Sequence, residues 1–262
     1  MLSKEKLKEL LKLKTKKGRS QKGKFLLEGL RLCEEALNSN WDIESILLTH
    51  SFEDKVQGKD FFGKLQKSKT KLIAVKPHDL QKLSDTVTPP GIMCVVKTRR
   101  NQMENLWRKN NNFILALDGI RDPGNVGTLI RTADAFGADG VLLSNDTVEL
   151  LNPKVVRSTM GSIFHFPVWD EVDLVTILQE LRKRNFKILG TDVRKGKKLD
   201  SVDYSGNICI LIGNEVEGLR ENLLALSDEL VHIPIYGKAE SLNAAVAGGI
   251  LLYEITTKRI CT

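Results

Sequence analysis

Residues able to carry chemistry fall in three separated stretches of the chain. The first, DGIRDPGNVGTLIRTADAFGADG from Asp118, places Asn125 where a helix N-cap is expected and Arg131 six residues further on. On a helix beginning near Val126, residues 127 and 131 share a face, so Arg131 can project beside the loop that Asn125 ends. The second, GNEVEGLRENLL from Gly213, brackets Glu215 and Glu217 between two glycines. The third, YGKAESLNAAVAGGI from Tyr236, sets Ser241 and Asn243 ahead of an Ala- and Gly-rich helix. Guanidinium, carboxylate, amide and hydroxyl groups can orient a substrate and stabilise developing charge. None of the three stretches holds a His, and no Ser of the chain lies in GxSxG, which argues against a hydrolytic triad. Each residue taken alone also has a purely structural explanation: capping, a solvated surface, acids favoured by a helix dipole, or small residues for close packing.

Other familiar sites fail on spelling. There is no GxGxxG, so a dinucleotide-binding Rossmann loop and the usual Rossmann-type methyltransferase loop are unsupported. Gly190 to Lys197 resembles a phosphate loop faintly, but its glycines stand six apart and no Lys-Ser or Lys-Thr follows. Cys33, Cys94, Cys209 and Cys261 lie 61, 115 and 52 residues apart, without a CxxC pair or an adjacent His. Neither a metal site nor a disulfide framework is expected, and a reducing cytoplasm suits such a chain. No apolar run approaches the ~18 residues of a membrane span, and the first 24 residues lack the apolar core of a signal peptide. Glu5, Glu9 and the lack of early Arg argue against a mitochondrial transit peptide.

Elements that must position these loops follow from periodicity. The chain has 262 residues, 41% hydrophobic and 28% charged, which fits a globular protein of one or two domains. A basic amphipathic helix is expected from Leu2 to Leu13, and a helix from Leu30 to Leu37 entered through Phe25, Leu26 and Leu27. Strands are then expected at Ile43–Leu48, Lys71–Val75 and Ile92–Val96, alternating with helices at Glu53–Gln66 and His78–Leu83. This describes a small α/β domain over residues 1–100, and the charged, amide-rich 101–112 reads as a linker. From 113 to 262 a second alternation sets in. Strands are expected at Phe113–Leu117, Gly140–Leu143, Phe164–Val168, Lys187–Gly190, Ile208–Ile212 and Leu230–Ile235. Helices are expected at Val126–Phe136, Pro153–Met160, Leu174–Arg184, Leu219–Leu226 and Leu242–Thr257. Apolar strands alternating with helices predict a mostly parallel, doubly wound sheet, in which ligands bind beyond the strands' carboxyl ends.

Charge divides with the domains. Residues 1–100 hold 22 bases and 12 acids, a net +10, whereas residues 101–262 hold 18 bases and 21 acids, a net −3. Lys4 to Lys24 are expected to contact phosphates and to make binding salt-dependent. A solvated basic surface is the alternative.

The three stretches together carry a resemblance. Asp122-Pro123-Gly124-Asn125-Val126-Gly127 with Arg131-Thr132-Ala133 and Phe136-Gly137 resembles the first motif of the SpoU/TrmH family of SPOUT methyltransferases. Ile212-Gly213-Asn214-Glu215 with Gly218-Leu219 resembles the second motif, and Ile233-Pro234, Gly237, Ser241-Leu242-Asn243 and Ala247 the third. Asn152 to Arg157 and Met160-Gly161-Ser162 are similar to that family as well. Phe25-Leu26-Leu27-Glu28-Gly29 resembles, less closely, the ribosomal-protein-like RNA-binding domain that often precedes it.

That resemblance implies methyl transfer from S-adenosylmethionine to a ribose 2′-hydroxyl in structured RNA, by a homodimer whose carboxyl-terminal segment forms a trefoil knot. It implies cofactor contacts from Gly190, Thr191, Ile212, Gly213, Ile233 and Leu242, and a polar site of Asn125, Arg131, Glu215, Ser241 and Asn243 with Arg131 central. Arg131 as a literal base meets the objection that a guanidinium is hardly ever neutral; alternatively it holds the phosphate and stabilises the developing alkoxide, with the proton leaving to phosphate or water. Val216 departs from the small residue the family often carries after the Glu. Ribosomal RNA is the expected substrate, because the long amino-terminal domain resembles those of rRNA enzymes. Transfer RNA, or a noncatalytic RNA-binding role in ribosome assembly, are the alternatives.

Overall fold

The computed structural model of the chain describes residues 1–56, 60–68, 70–107, 111–193 and 195–260. Cys261 lies outside them, as does part of the expected linker and of the expected helix Glu53–Gln66. Two compact units form: Met1–Arg99 with Leu151–His165, and Arg100–Leu150 with Phe166–Thr262.

The first unit opens with α1 (Lys4–Leu11), capped by the Ser3 hydroxyl, a 3₁₀ turn at Lys12–Lys14, and α2 (Lys16–Lys22), capped by Thr15. Gly23 ends α2 in the left-handed region, with φ +60°. There follow β1 (Lys24–Glu28), α3 (Leu30–Asn38), β2 (Ile43–Leu48), α4 (His50–Val56), α5 (Asp60–Lys67), β3 (Lys71–Ala74), α6 (Pro77–Leu83) and β4 (Ile92–Lys97). The sheet runs β1-β4-β2-β3, with β2 and β3 parallel and the other pairs antiparallel. Phe25-Leu26-Leu27, expected to lead into a helix, instead forms the strand β1. Three consecutive buried apolar residues show no period, so the sequence pattern does not separate the two. Leu10 and Leu13 pack with Leu80 and Leu83 over Leu26, Leu47, Met93 and Val95, which closes one face of this sheet.

In the second unit β5 (Phe113–Leu117), α7 (Pro123–Ala135) and β6 (Gly140–Ser144) follow in order. The chain then supplies α8 (Pro153–Ser158) to the first unit, although sequence order places that helix with residues 113–262. The strand expected at Phe164–Val168 begins later, as β7 (Val168–Val172). Phe164 instead ends a 3₁₀ turn, its ring edge-on to Trp41 at 5.4 Å in the first unit. Next come α9 (Leu174–Lys183), β8 (Phe186–Thr191), the two-residue β9 (Lys197–Lys198), β10 (Asn207–Ile212), α10 (Glu221–Leu226), β11 (Glu229–His232) and α11 (Ala244–Ile260). The strand expected to reach Ile235 stops at His232, two residues before Pro234, whose ring nitrogen has no hydrogen to give a ladder.

All seven strands pair in parallel, in the order β7-β6-β5-β10-β8-β11-β9. Side chains on a strand alternate between faces. Ile114, Ala116, Cys209 and Leu211 therefore share the face that α9 and α10 cover. Ile212 points the other way, where α11 lies against α7 and Gly248 of α11 has room for no side chain: a Cβ there would meet Leu129 Cδ2 at 2.1 Å and Ile212 Cδ1 at 3.0 Å. Helices thus cover both faces of the sheet, as the apolar strands predict.

Candidate active site

From β5 the chain moves outward to β6 and β7, whereas β10 lies on the opposite side of β5. The chain therefore reverses its direction of winding between β5 and β10, and open parallel sheets bind ligands beyond strand ends near such a reversal. Two sets of contacts tie these loops together. Asp118, just past β5 and 1% exposed, pairs with the Arg220 guanidinium at 2.5 Å and accepts from the Arg220 backbone N–H at 3.2 Å. Asn214, just past β10, donates from Nδ2 to the Gly119 carbonyl at 2.8 Å. Its Oδ1 accepts from Val216 N–H at 2.9 Å and, more weakly, from Glu217 N–H at 3.3 Å. The resulting turn is tight enough that a Cβ on Gly213 would meet the Gly218 carbonyl carbon at 2.2 Å.

The cap of α7 differs from the sequence expectation. Asp122, not Asn125, is the N-cap: its carboxylate accepts from the Asn125 backbone N–H at 2.8 Å, and Pro123 fills the first helical position. This leaves the Asn125 side chain available. Its Nδ2 donates to Glu215 Oε1 at 2.7 Å, and its Oδ1 accepts from Asn243 Nδ2 at 3.0 Å. Asn243 Oδ1 in turn accepts from the Ala245 and Val246 N–H groups at the start of α11, at 2.9 and 3.3 Å. One chain of hydrogen bonds so links the first turns of α7 and α11 to the β10 loop.

Beside that chain lies a cavity of about 520 Å³, a volume suited to a cofactor-sized molecule. Of the expected contact residues, Thr191, Ile212, Gly213, Ile233 and Leu242 line it, and so do Glu215 and Ser241 of the polar set. Gly190 does not: it packs in β8, where a Cβ would meet Ser227 Oγ at 2.5 Å and Leu230 Cδ2 at 2.9 Å. Arg131 is exposed on the outer side of α7, with Thr128 and Ala135, and is not part of the cavity wall. Its side chain has no hydrogen-bond or ion-pair partner among the described residues. Asp192 and Ile235 also line the wall without being expected from sequence, although Asp192 lies just beyond one expected strand and Ile235 ends another. Carboxylates of Asp192, Glu215, Glu217 and Glu240 line the cavity without a Lys or Arg among its described lining residues, so its field favours a ligand with a positive centre.

A doubly wound α/β unit with a cofactor-sized, acid-lined cavity beyond the carboxyl ends of β10, β8 and β11 has the architecture of an enzyme domain that binds a small molecule. The chain belongs to the SpoU rRNA methylase family, which it matches over residues 112–253, while residues 4–94 match the MRM3-like substrate binding domain. It is 34% identical over 251 residues to the 23S rRNA (guanosine(2553)-2′-O)-methyltransferase RlmP of Bacillus subtilis, covering 96% of each chain. It is 29% identical to the 23S rRNA (uridine(2479)-2′-O)-methyltransferase of Streptomyces viridochromogenes, over 92% of this chain and 85% of that one. Among solved structures it is similar to the SpoU methyltransferase AviRb of Streptomyces viridochromogenes in complex with AdoMet. The TM-score is 0.88 and the identity 28%, with 98% of this chain and 99% of that chain covered. The AdoMet-bound rRNA methyltransferase of Sinorhizobium meliloti gives a TM-score of 0.85 at 28% identity, over 98% and 96% of the two chains.

Proposed function

We propose that this chain methylates a ribose 2′-hydroxyl of ribosomal RNA with S-adenosylmethionine. The observation that carries the reading is the Asn243–Asn125–Glu215 chain of hydrogen bonds at the edge of the acid-lined cavity. The residues suit the cofactor: apolar walls from Ile212, Ile233 and Leu242 accept an adenosine, and backbone groups at Gly213 can read its edge. The carboxylates of Asp192 and Glu215 favour a sulfonium centre. When bound, the cofactor supplies an electrophilic methyl group.

The chain's own residues hold the nucleophile. Glu215 and Asn243 fix the Asn125 amide from both ends, so that the polar edge is oriented before RNA arrives. Arg131 stabilises the oxygen as its proton leaves to phosphate or water, and its fork of N–H groups suits an RNA phosphate. Because Arg131 lies off the cavity of its own chain, we assign it to a partner's site in a homodimer. Val246 (53% exposed), Ile250 (38%) and Tyr253 (57%), the last edge-on to Phe136 at 5.9 Å, leave an exposed apolar stripe along α11, and such stripes mark protein interfaces. Ser241 completes the polar set at the cavity wall. We also read the carboxyl-terminal stretch as the family's trefoil knot, against the general rule, because β10 inserted between β5 and β8 and α11 docked on α7 accord with it. In this reading residues 1–100 grip RNA and the domain from 113 to 262 transfers the methyl group, in the cytoplasm and without a metal; of the expected linker 101–112, Leu106 packs in the core of the second unit, and Leu151–His165 fold with the first. Among the described residues no helix is long and apolar enough to cross a membrane.

Mapping of 2′-O-methyl positions in total RNA with and without the protein tests the reading. One ribosomal position lost with the protein is expected. A folded protein that binds no S-adenosylmethionine and leaves every position unchanged would be a noncatalytic RNA-binding protein instead.

A further inference from the structure

The basic character of the first unit is not evenly available. Lys6 is paired with Glu9 at 3.1 Å and with Glu44 at 3.0 Å, and Lys24 is paired with Glu44 as well. Lys14 caps the Lys82 and Ser84 carbonyls at 3.1 and 2.8 Å and pairs with Asp85 at 3.3 Å. Arg19 is 4% exposed, and its guanidinium donates to the Leu13 and Lys14 carbonyls at 2.9 and 3.1 Å. Arg19 and Lys14 fix the elbow between α1 and α2, in which Gly18 packs so closely that a Cβ would meet the Lys12 carbonyl oxygen at 1.8 Å, while Lys6 and Lys24 are both held by Glu44 of β2.

Lys4, Lys8 and Lys12 differ in every respect. They are exposed, their side chains have no partner among the described residues, and they recur every four residues. That spacing places them in a row about 6 Å apart along the helix axis, on the side opposite the buried Leu10 and Leu13. Among the described residues of α1, Glu5 is the exposed acid beside the row.

We infer that Lys4, Lys8 and Lys12 are the phosphate-tracking surface of the first unit, and that Lys6, Lys14, Arg19 and Lys24 only build the support beneath it. The spacing of the row is close to that of neighbouring phosphates on one RNA strand, and the anchored elbow fixes the direction in which it runs. A membrane surface does not fit. A lipid-bound helix must free its apolar side, and here Leu7, Leu10 and Leu13 are packed into the core with Leu80 and Leu83. The assignment rests on the reading of the chain as an RNA methyltransferase.

The test is the salt dependence of binding to an in vitro transcript of large-subunit ribosomal RNA. Lys4→Gln/Lys8→Gln/Lys12→Gln is compared with Arg31→Gln/Lys71→Gln/Lys76→Gln, an equal loss of exposed charge elsewhere in the same unit. The row variant is expected to flatten the slope of log K against log salt by about 2 to 3, at about 0.7–0.9 per phosphate contact. Its melting temperature and its affinity for S-adenosylmethionine should stay at wild-type values. An unchanged slope, or equal flattening in both variants, overturns the assignment. So does loss of binding to phosphatidylserine vesicles with the RNA slope intact, which would move the row to a membrane. If the row governs the slope but the wild type transfers no methyl group, the surface stands and the enzymatic reading fails.

Discussion

Asn125 Nδ2 donates to Glu215 Oε1 at 2.7 Å, across 90 residues of sequence. Asn125→Ala removes this bond and the acceptor of Asn243 while leaving the Asp122 cap in place, because the cap uses the Asn125 backbone. Methyl transfer should fall about 10²-fold through lost positioning, with cofactor affinity within a few-fold of wild type. Single-turnover labelling and a binding titration separate the two quantities.

Arg131→Ala should lose transfer by about 10²–10³-fold while retaining the cofactor, since the residue stands off the cavity wall. Arg131→Lys keeps the charge without the planar fork, so it should recover only part of the rate. A wild-type rate in Arg131→Ala would remove the residue from the mechanism.

Arg220→Ala leaves the Asp118 carboxylate buried without its cation. Because Arg220 is itself half exposed, the expected loss is at the low end for such pairs, about 2 kcal/mol, read as a lower urea midpoint. The Arg220 backbone N–H still reaches Asp118 in the variant, so the β10 loop should keep its path.

Gly213→Ala tests that loop from the other side. The added Cβ meets backbone at Gly218, which cannot swing aside as a side chain can, so the turn carrying Glu215 must shift. Cofactor binding and transfer should both fall sharply in a protein that still unfolds cooperatively. Calorimetric titration and a melting curve on one preparation check this.

Stability should also depend on acid through Glu44. Partial burial raises this carboxyl, but hydrogen bonds and charge from Lys24 and Lys6 outweigh burial and hold it below its ordinary 4.5. A depressed folded value means that the contribution is complete above the unfolded value of about 4.3 and is lost as pH falls through the folded one. Urea midpoints between pH 6 and 3 should therefore drop less steeply in Glu44→Gln than in wild type.

Much of the second unit is legible from sequence, because Phe113–Leu117 and Ile208–Ile212 are apolar runs of strand length bounded by turns. The cavity wall at Ile212, Gly213 and Ile233 is implied by the family resemblance, and the strand-end rule points independently to the loop after Ile212. The cap of α7 lies three residues before the position that the sequence pattern suggests, at Asp122 and not Asn125. Asp122-Pro123 is the stronger start signal, and it leaves Asn125 available for a contact no local rule describes. The engaged and free lysines of the first unit could not be told apart either, since their partners Glu44 and Asp85 are supplied by other elements. Likewise α8 docks in a unit other than that of its sequence neighbours, a decision made by packing rather than by pattern.

The hydrogen bond from Asn243 to Asn125 joins residues 118 positions apart, and the start of α11 is the last part of the polar edge to be synthesised. A ribosome that stalls before position 243 therefore releases a chain with the exposed lysines of α1 but without a closed site. Such fragments would hold RNA without modifying it and compete with finished enzyme. Contacts of this sequence separation are also slow to form, so the docking of α11 stands among the last steps between synthesis and a closed site.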